Sequence, residues 1–203
     1  MTKREQMAQE TRRKLVAAAS RIVREKGLAE TTVEEICEAC GVAKGTFYVY
    51  FKQKEDVLTE LNCLAGFQDI LSCAKKLTTP FLMRLTFFLS EFALYIEQSS
   101  LKLCQDWVRN SATPERDKNS AGVEKLQFDR ALVRDLFESG IARGDIKPDA
   151  PVDLLSKTLI DVLYGEMLCW TTLDGREGFS QRTREFCDSF LEPIIHPYLN
   201  RER

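Results

Sequence analysis

The sequence predicts an all-α protein, an N-terminal three-helix head joined to a larger helical body. Three observations predict it. Apolar residues recur at three- and four-residue spacing along most of the 203-residue chain. Glycines and prolines (Gly27, Gly41, Pro80, Gly144, Pro151) stand where those runs begin or end. The segment from Gly41 to Asp56 fits a glycine turn, a short helix with two opposed faces and a lysine beyond its end into sixteen residues.

Taken in order, Thr11 to Lys26 reads as an amphipathic helix with Leu15, Ala18, Ala19, Ile22 and Val23 on its apolar stripe. Gly27 suits the left-handed position after a helix end, and Leu28 the apolar residue that commonly follows it. Thr32, with Glu35 three residues later, forms a capping box that opens a short second helix. Val33, Ile36 and Cys40 face the core there, and Gly41 stops the helix. The third helix sets Phe47 and Phe51 one turn apart, so both can dock it to a core. Lys44, Thr46, Tyr48 and Tyr50 stay on its other sides, and Gly45 leaves no side chain near its backbone. Long helix, short helix, glycine turn, short helix is the helix-turn-helix order, with the last helix in the reading position. An outward face of Lys, Thr and Tyr points to double-stranded DNA.

Thr31-Thr32-Val33-Glu34-Glu35-Ile36, then Gly41 through Phe51, then Lys54-Glu55-Asp56-Val57-Leu58, resembles the DNA-binding domain of the TetR family of bacterial transcriptional regulators. The resemblance covers the first quarter to third of the chain. Two positions depart from the family pattern. Ala43 stands where a Ser or Thr often caps the recognition helix, and Tyr50 where many members carry His. Roles follow residue by residue. Lys44 is placed to reach a guanine edge or a phosphate, and Gly45 lets the helix backbone approach the groove. Thr46 offers a methyl to thymine or a hydroxyl to phosphate, and Val49 an apolar contact to a thymine methyl. Tyr48 and Tyr50 read as phosphate clamps, and Thr32 and Lys54 as brackets on the backbone phosphates.

Charge agrees with a protein that touches nucleic acid at one end. Residues 1–54 hold 11 Lys and Arg against 7 Asp and Glu, and the remainder 18 against 24. The tail ahead of the first helix, with Lys3 and Arg4, reads as a charged terminus. No run of about 18 apolar residues occurs, so no membrane span is expected, and the charged start lacks an apolar signal region. The expected location is cytoplasmic. Seven cysteines then read as thiols. Cys37 and Cys40 form a C-x-x-C, yet the only histidine, His196, lies far along the chain, so packed thiols are expected rather than a metal site. No cofactor is expected. One histidine, no Glu-x-x-His pair, no glycine-rich phosphate loop and no nucleophile triad argue against an enzyme.

The boundary between head and body is placed at 53/54. Lys54 to Lys76 reads as one helix connecting them. Further helices are expected from Thr79-Pro80 to about Ile96, over 101–109, over 123–143 and from Pro151 to about Leu173, with a polar loop over 111–122. The last helix repeats apolar pairs at Phe186-Cys187, Phe190-Leu191 and Ile194-Ile195, bent by Pro193. The Pro151 helix is apolar most of the way round, which points to a symmetric four-helix interface between two copies. The family resemblance implies the same homodimer. Two reading helices about 34–36 Å apart then imply a near-palindromic operator. The resemblance further implies a small-molecule effector in the body that shifts the connector and spreads the heads. Phe87, Phe88, Phe92, Trp107, Phe128, Tyr164 and Met167 are its expected lining, which suits a hydrophobic or aromatic molecule. The expectation is therefore a ligand-responsive regulator, most simply a repressor; the alternative is a thiol-based redox sensor on the same scaffold.

Overall fold

A computed structural model describes residues 3–57, 64–111 and 121–200. Among the described residues the regular structure is helical, with one isolated antiparallel bridge between Ile146 and Leu199. The chain divides into two compact units, Met1–Cys63 with Lys102–Asp117, and Leu64–Leu101 with Lys118–Arg203. The head thus includes a segment from the middle of the chain as well as the N-terminal residues.

In the head, α1 (Lys3–Lys26) buries Leu15, Ala19, Ile22 and Val23 along one stripe. It begins eight residues earlier than the sequence predicts, and the Lys3-Arg4 tail is its first turn. Residues 3–10 lack an apolar stripe, so nothing in the hydrophobic pattern marks them as helical. Gly27 ends α1 with φ 85°, a left-handed conformation that calls for glycine, and the end of the Lys102 side chain fills the space a Cβ would take. α2 (Val33–Cys40) starts at the expected capping box and stops at Gly41 in the left-handed conformation, φ 67°. Val33, Ile36 and Cys37 are its buried residues, while Cys40 is half-buried with its thiol 3.2 Å from the Lys14 carbonyl. α3 (Lys44–Tyr50) has Ala43 at its start with no side-chain cap. What holds this helix is burial: Phe47 and Phe51 are enclosed, with ring centroids 5.1 Å apart.

The middle segment that joins the head is α6 (Leu101–Ser111), which follows α4 (Leu64–Lys76) and α5 (Phe81–Ser99). Asp106 Oδ2 accepts the Leu28 N–H at 2.8 Å, and Lys102 Nζ donates to the Lys26 carbonyl at 2.8 Å. Two charged side chains of α6 therefore close the C-terminal end of α1, where helical N–H partners run out. The connector expected over 54–76 is described at its two ends, as a 3-10 turn at Lys54–Asp56 and as α4. Leu58 and Leu61 lie outside the described residues.

The body packs α5 against α4, α7 (Ala121–Ala142) against α4 and α8 (Val152–Thr172), and α9 (Phe179–Phe186) against α5 and α8. Pro80 and Pro151 sit just ahead of α5 and α8, where a missing N–H costs nothing. Phe67, Phe81, Phe88, Phe92, Phe137 and Phe179 are fully enclosed; the Phe67 and Phe92 rings stack at 4.4 Å. α8 buries Leu155, Leu159, Ile160, Leu163, Met167 and Trp170 within this one chain. The wide apolar face seen in the sequence is thus largely consumed by the protomer's own core. α9 continues through a π-helical turn, Cys187–Leu191, into α10 (Glu192–Ile195). Pro193 has no N–H to give the Ser189 carbonyl, and the slipped turn immediately precedes it.

Candidate nucleic-acid interface

α3 presents one solvent-facing side built from the residues its two phenylalanines leave over. Val49 is 76% exposed and Tyr48 50%, and Lys44 and Gly45 are also exposed; Thr46 and Tyr50 are half-buried. A Cβ added at Gly45 would meet nothing within 4 Å, so this end of the helix is open to a close approach. Tyr48 rests edge-on against Phe47, with centroids 5.6 Å apart, while half of its surface stays open to solvent. The expected reading-face residues from Lys44 to Val49 therefore lie on one short, rigidly docked helix.

The two expected DNA-binding residues outside α3 are both engaged within the head. Thr32 Oγ1 accepts from Glu35 N–H at 3.2 Å and donates to Glu35 Oε2 at 2.9 Å, while Thr32 N–H donates to the same carboxylate at 2.9 Å. Lys54 is more fully committed. Its Nζ donates to the carbonyls of Leu28, Ala29 and Thr31 at 2.9, 3.2 and 3.0 Å, which uses three protons on three acceptors. These bonds make Lys54 a brace on the α1–α2 loop. Asp56 orders the adjoining turn by accepting from the N–H groups of Lys52 and Gln53 at 3.0 and 3.1 Å.

Electrostatics adds a residue that sequence reasoning missed. Glu34, in the first turn of α2, forms an ion pair with Lys44 at the start of α3. The hydrogen bond from Lys44 holds the Glu34 carboxyl below its ordinary range and raises the Lys44 ammonium above its own. A glutamate in a first helical turn reads in sequence as a solvated, dipole-favoured charge, and nothing in the spacing links it to a lysine ten residues on. Neighbouring Glu35 is drawn down to about 2, chiefly by its hydrogen bond from Lys26 and then by the Thr32 cap.

The expected effector lining lies in two places. Phe88, Phe92 and Met167 are buried in the body and Phe87, Phe128 and Tyr164 are half-buried there; Trp107 belongs to α6 and so to the head unit. An open groove of about 490 Å³ lined by Gln68, Leu71, Lys75, Leu132 and Asp135 takes none of the seven. The body's polar centre is instead a buried cluster on α7 and α8. Lys125 donates to both oxygens of Asp129, and Tyr164 Oη donates to Asp129 Oδ2 at 2.8 Å. Lys125 Nζ also lies 4.5 Å and 5.4 Å from the centroids of the Phe67 and Phe92 rings. Burial pushes the Asp129 carboxyl above its ordinary range against the pull of Lys125, and burial with the Asp129 charge pushes the Tyr164 hydroxyl up. Of these three residues the sequence reading singled out only Tyr164.

Among the described residues the cysteines are thiols, with Cys37, Cys104 and Cys187 buried. Burial raises the Cys37 and Cys40 thiols and pushes Cys187 up to about 12, away from the nucleophilic thiolate. No group of three or more His, Cys, Asp or Glu capable of holding a metal occurs among the described residues, and no helix among them is long and apolar enough to cross a membrane.

Residues 15–61 match the family model of bacterial regulatory proteins, tetR family. Over 161 residues the chain is 28% identical to the HTH-type transcriptional repressor KstR2 of Mycolicibacterium smegmatis, covering 75% of this chain and 76% of that protein. KstR2 of Rhodococcus jostii is 28% identical over 193 residues, 92% of each chain. Among solved structures, the TetR-family repressor FadR of Thermus thermophilus, in complex with lauroyl-CoA, shares the fold with a TM-score of 0.74 at 20% identity, covering 95% of this chain and 97% of that one. FadR of Bacillus subtilis, in complex with stearoyl-CoA, superposes with a TM-score of 0.65 at 21% identity, covering 87% and 97%.

Proposed function

We propose, from the match of residues 15–61 to the tetR family model and the likeness to the KstR2 repressors, that this chain is a repressor that binds a near-palindromic operator as a homodimer and is released by a hydrophobic effector. The observation that carries the DNA half is the division of labour on α3. Phe47 and Phe51 are spent on docking, and Lys44, Gly45, Tyr48 and Val49 face outward from the helix they anchor. A positioned polar face beside a glycine is the geometry for entry into a major groove. One seven-residue helix carries too few contacts to select a site, so specificity calls for two heads in register.

The effector reading rests on the body. The enclosed Phe67 and Phe92 lie against a buried polar cluster of Lys125, Asp129 and Tyr164, an arrangement suited to an apolar molecule with a polar group. The acyl-CoA molecules bound by the two FadR proteins make acyl thioesters the first class to screen. Release needs only that the effector favour a form in which the two heads no longer match successive grooves.

Selection of duplexes from a random DNA library by the full-length chain tests the reading. Enrichment of a palindrome, bound with a steep salt dependence and released by acyl-CoA of some chain length, is the expected result. Recovery of no preferred sequence would overturn the operator claim, and release by no apolar ligand would overturn the effector claim.

A further inference from the structure

We propose that Glu34 is a specificity-determining residue of the DNA-reading head, acting by holding Lys44 away from phosphate. The inference rests on the reading of α3 as the recognition helix and goes beyond it, because Glu34 lies on α2 and carries the wrong charge for a DNA contact.

Three observations support it. Lys44 and Glu34 form an ion pair between the starts of α3 and α2, each side chain about half exposed. The pair therefore sits on the surface that Tyr48 and Val49 share, rather than inside the head. The capping box of α2 belongs to Glu35, which makes the reciprocal bonds with Thr32 and the pair with Lys26, while the Glu34 carboxylate accepts from its own N–H and from Lys44. A negative side chain is thus kept beside Lys44, the cation of α3, although the capping box of α2 is complete without it.

The consequence follows from what an ammonium can bridge. Lys44 has three N–H donors and can keep Glu34 on one while giving another to the O6 or N7 of a guanine, an uncharged acceptor. Pairing instead with a phosphate sets the Glu34 carboxylate beside the phosphate row, a like-charge contact. Sequence-independent binding is mostly phosphate neutralisation, so Glu34 weakens that mode more than base reading. It contributes selectivity by penalising the wrong complex, at little cost to the right one.

The test compares the wild-type chain with Glu34→Gln, Lys44→Ala and the double variant. The probes are the duplex selected from a random library by the wild-type protein and a scrambled duplex of the same length. Glu34→Gln is expected to tighten binding to the scrambled duplex roughly two- to five-fold, the scale of an exposed ion pair. It should steepen the salt dependence on that duplex by about one ion, and change affinity for the selected duplex less. In the Lys44→Ala background the gain should vanish, because Glu34 acts through Lys44. Equal change on both duplexes, an unaltered salt slope, or a gain that persists without Lys44 would each overturn the proposal while leaving the DNA-reading role intact. If the wild-type chain selects no duplex, that role falls and this inference with it.

Discussion

At the scale of single residues the head is held by charged groups acting on backbone. Lys54 donates to three carbonyls of the α1–α2 loop and Asp106 accepts from Leu28 N–H in the same loop, so a segment that carries no regular structure is fixed from outside itself. Lys54→Met keeps the aliphatic stem and removes the donors; it is expected to destabilise the head by about 1–3 kcal/mol, read from chemical denaturation. A variant of unchanged stability that lost only DNA affinity would instead make Lys54 a phosphate contact. Glu35 gives a pH signature. Its carboxyl stands at about 2 in the folded chain against an ordinary 4.5, so the stability it contributes is fully present above about pH 4.5 and is lost as pH falls toward 2. The gap in urea midpoint between wild type and Glu35→Gln should therefore be widest near pH 6 and shrink by pH 3; a constant gap would show that Glu35 stays neutral or unpaired. The contrast with Glu34 shows how far sequence reaches. Glu35 was legible, because a capping box is a local pattern of two residues three apart. Glu34 was not, because its partner lies across a turn.

Elements show the same boundary between local and tertiary information. Gly27, Gly41, Pro80 and Pro151 fall at the helix ends the sequence indicates, since each acts through its own backbone. The start of α1 and the π turn before Pro193 were not legible: the first lacks an apolar stripe, and the second is a slip in hydrogen-bond register that leaves residue types unchanged. α7 is the sharpest case. Lys125 and Asp129 stand four apart, which in sequence is an ordinary solvated helix pair, yet both are buried between α4, α5 and α8. The folded helix makes its own prediction. Asp129→Asn leaves the Lys125 ammonium buried without a counter-charge and should cost about 3–5 kcal/mol in chemical denaturation. Replacing the pair together, with Lys125→Met and Asp129→Leu, should cost less than that single change, because no charge is then left in the core. A double variant less stable than Asp129→Asn would mean the pair is net stabilising in place.

For the whole molecule, the proposed homodimer requires apolar surface left over once the protomer core is filled. α8 turns most of its apolar side chains inward, but Leu154 and Leu168 stay 61% and 50% exposed, and Phe190 on the π turn is 61% exposed and stacked on Phe186. Gly165 lies on the exposed side of α8, and a Cβ there would meet nothing within 4 Å, which leaves room for a neighbouring backbone. Large apolar side chains left out on the last two long helices are what a two-fold four-helix interface would cover. Charge placed there should break the assembly without touching a head. Leu168→Glu combined with Phe190→Glu is expected to shift sedimentation from dimer to monomer at micromolar concentration. Helical content should be kept, since neither side chain belongs to the protomer core. Operator affinity should then fall toward the level of random duplex, because a monomer reads one half-site and gains nothing from the second. Retention of the dimer would place the interface elsewhere on the body. A monomer that still bound the palindrome at full strength would show that a single head suffices, and would remove the geometric basis for effector-driven release.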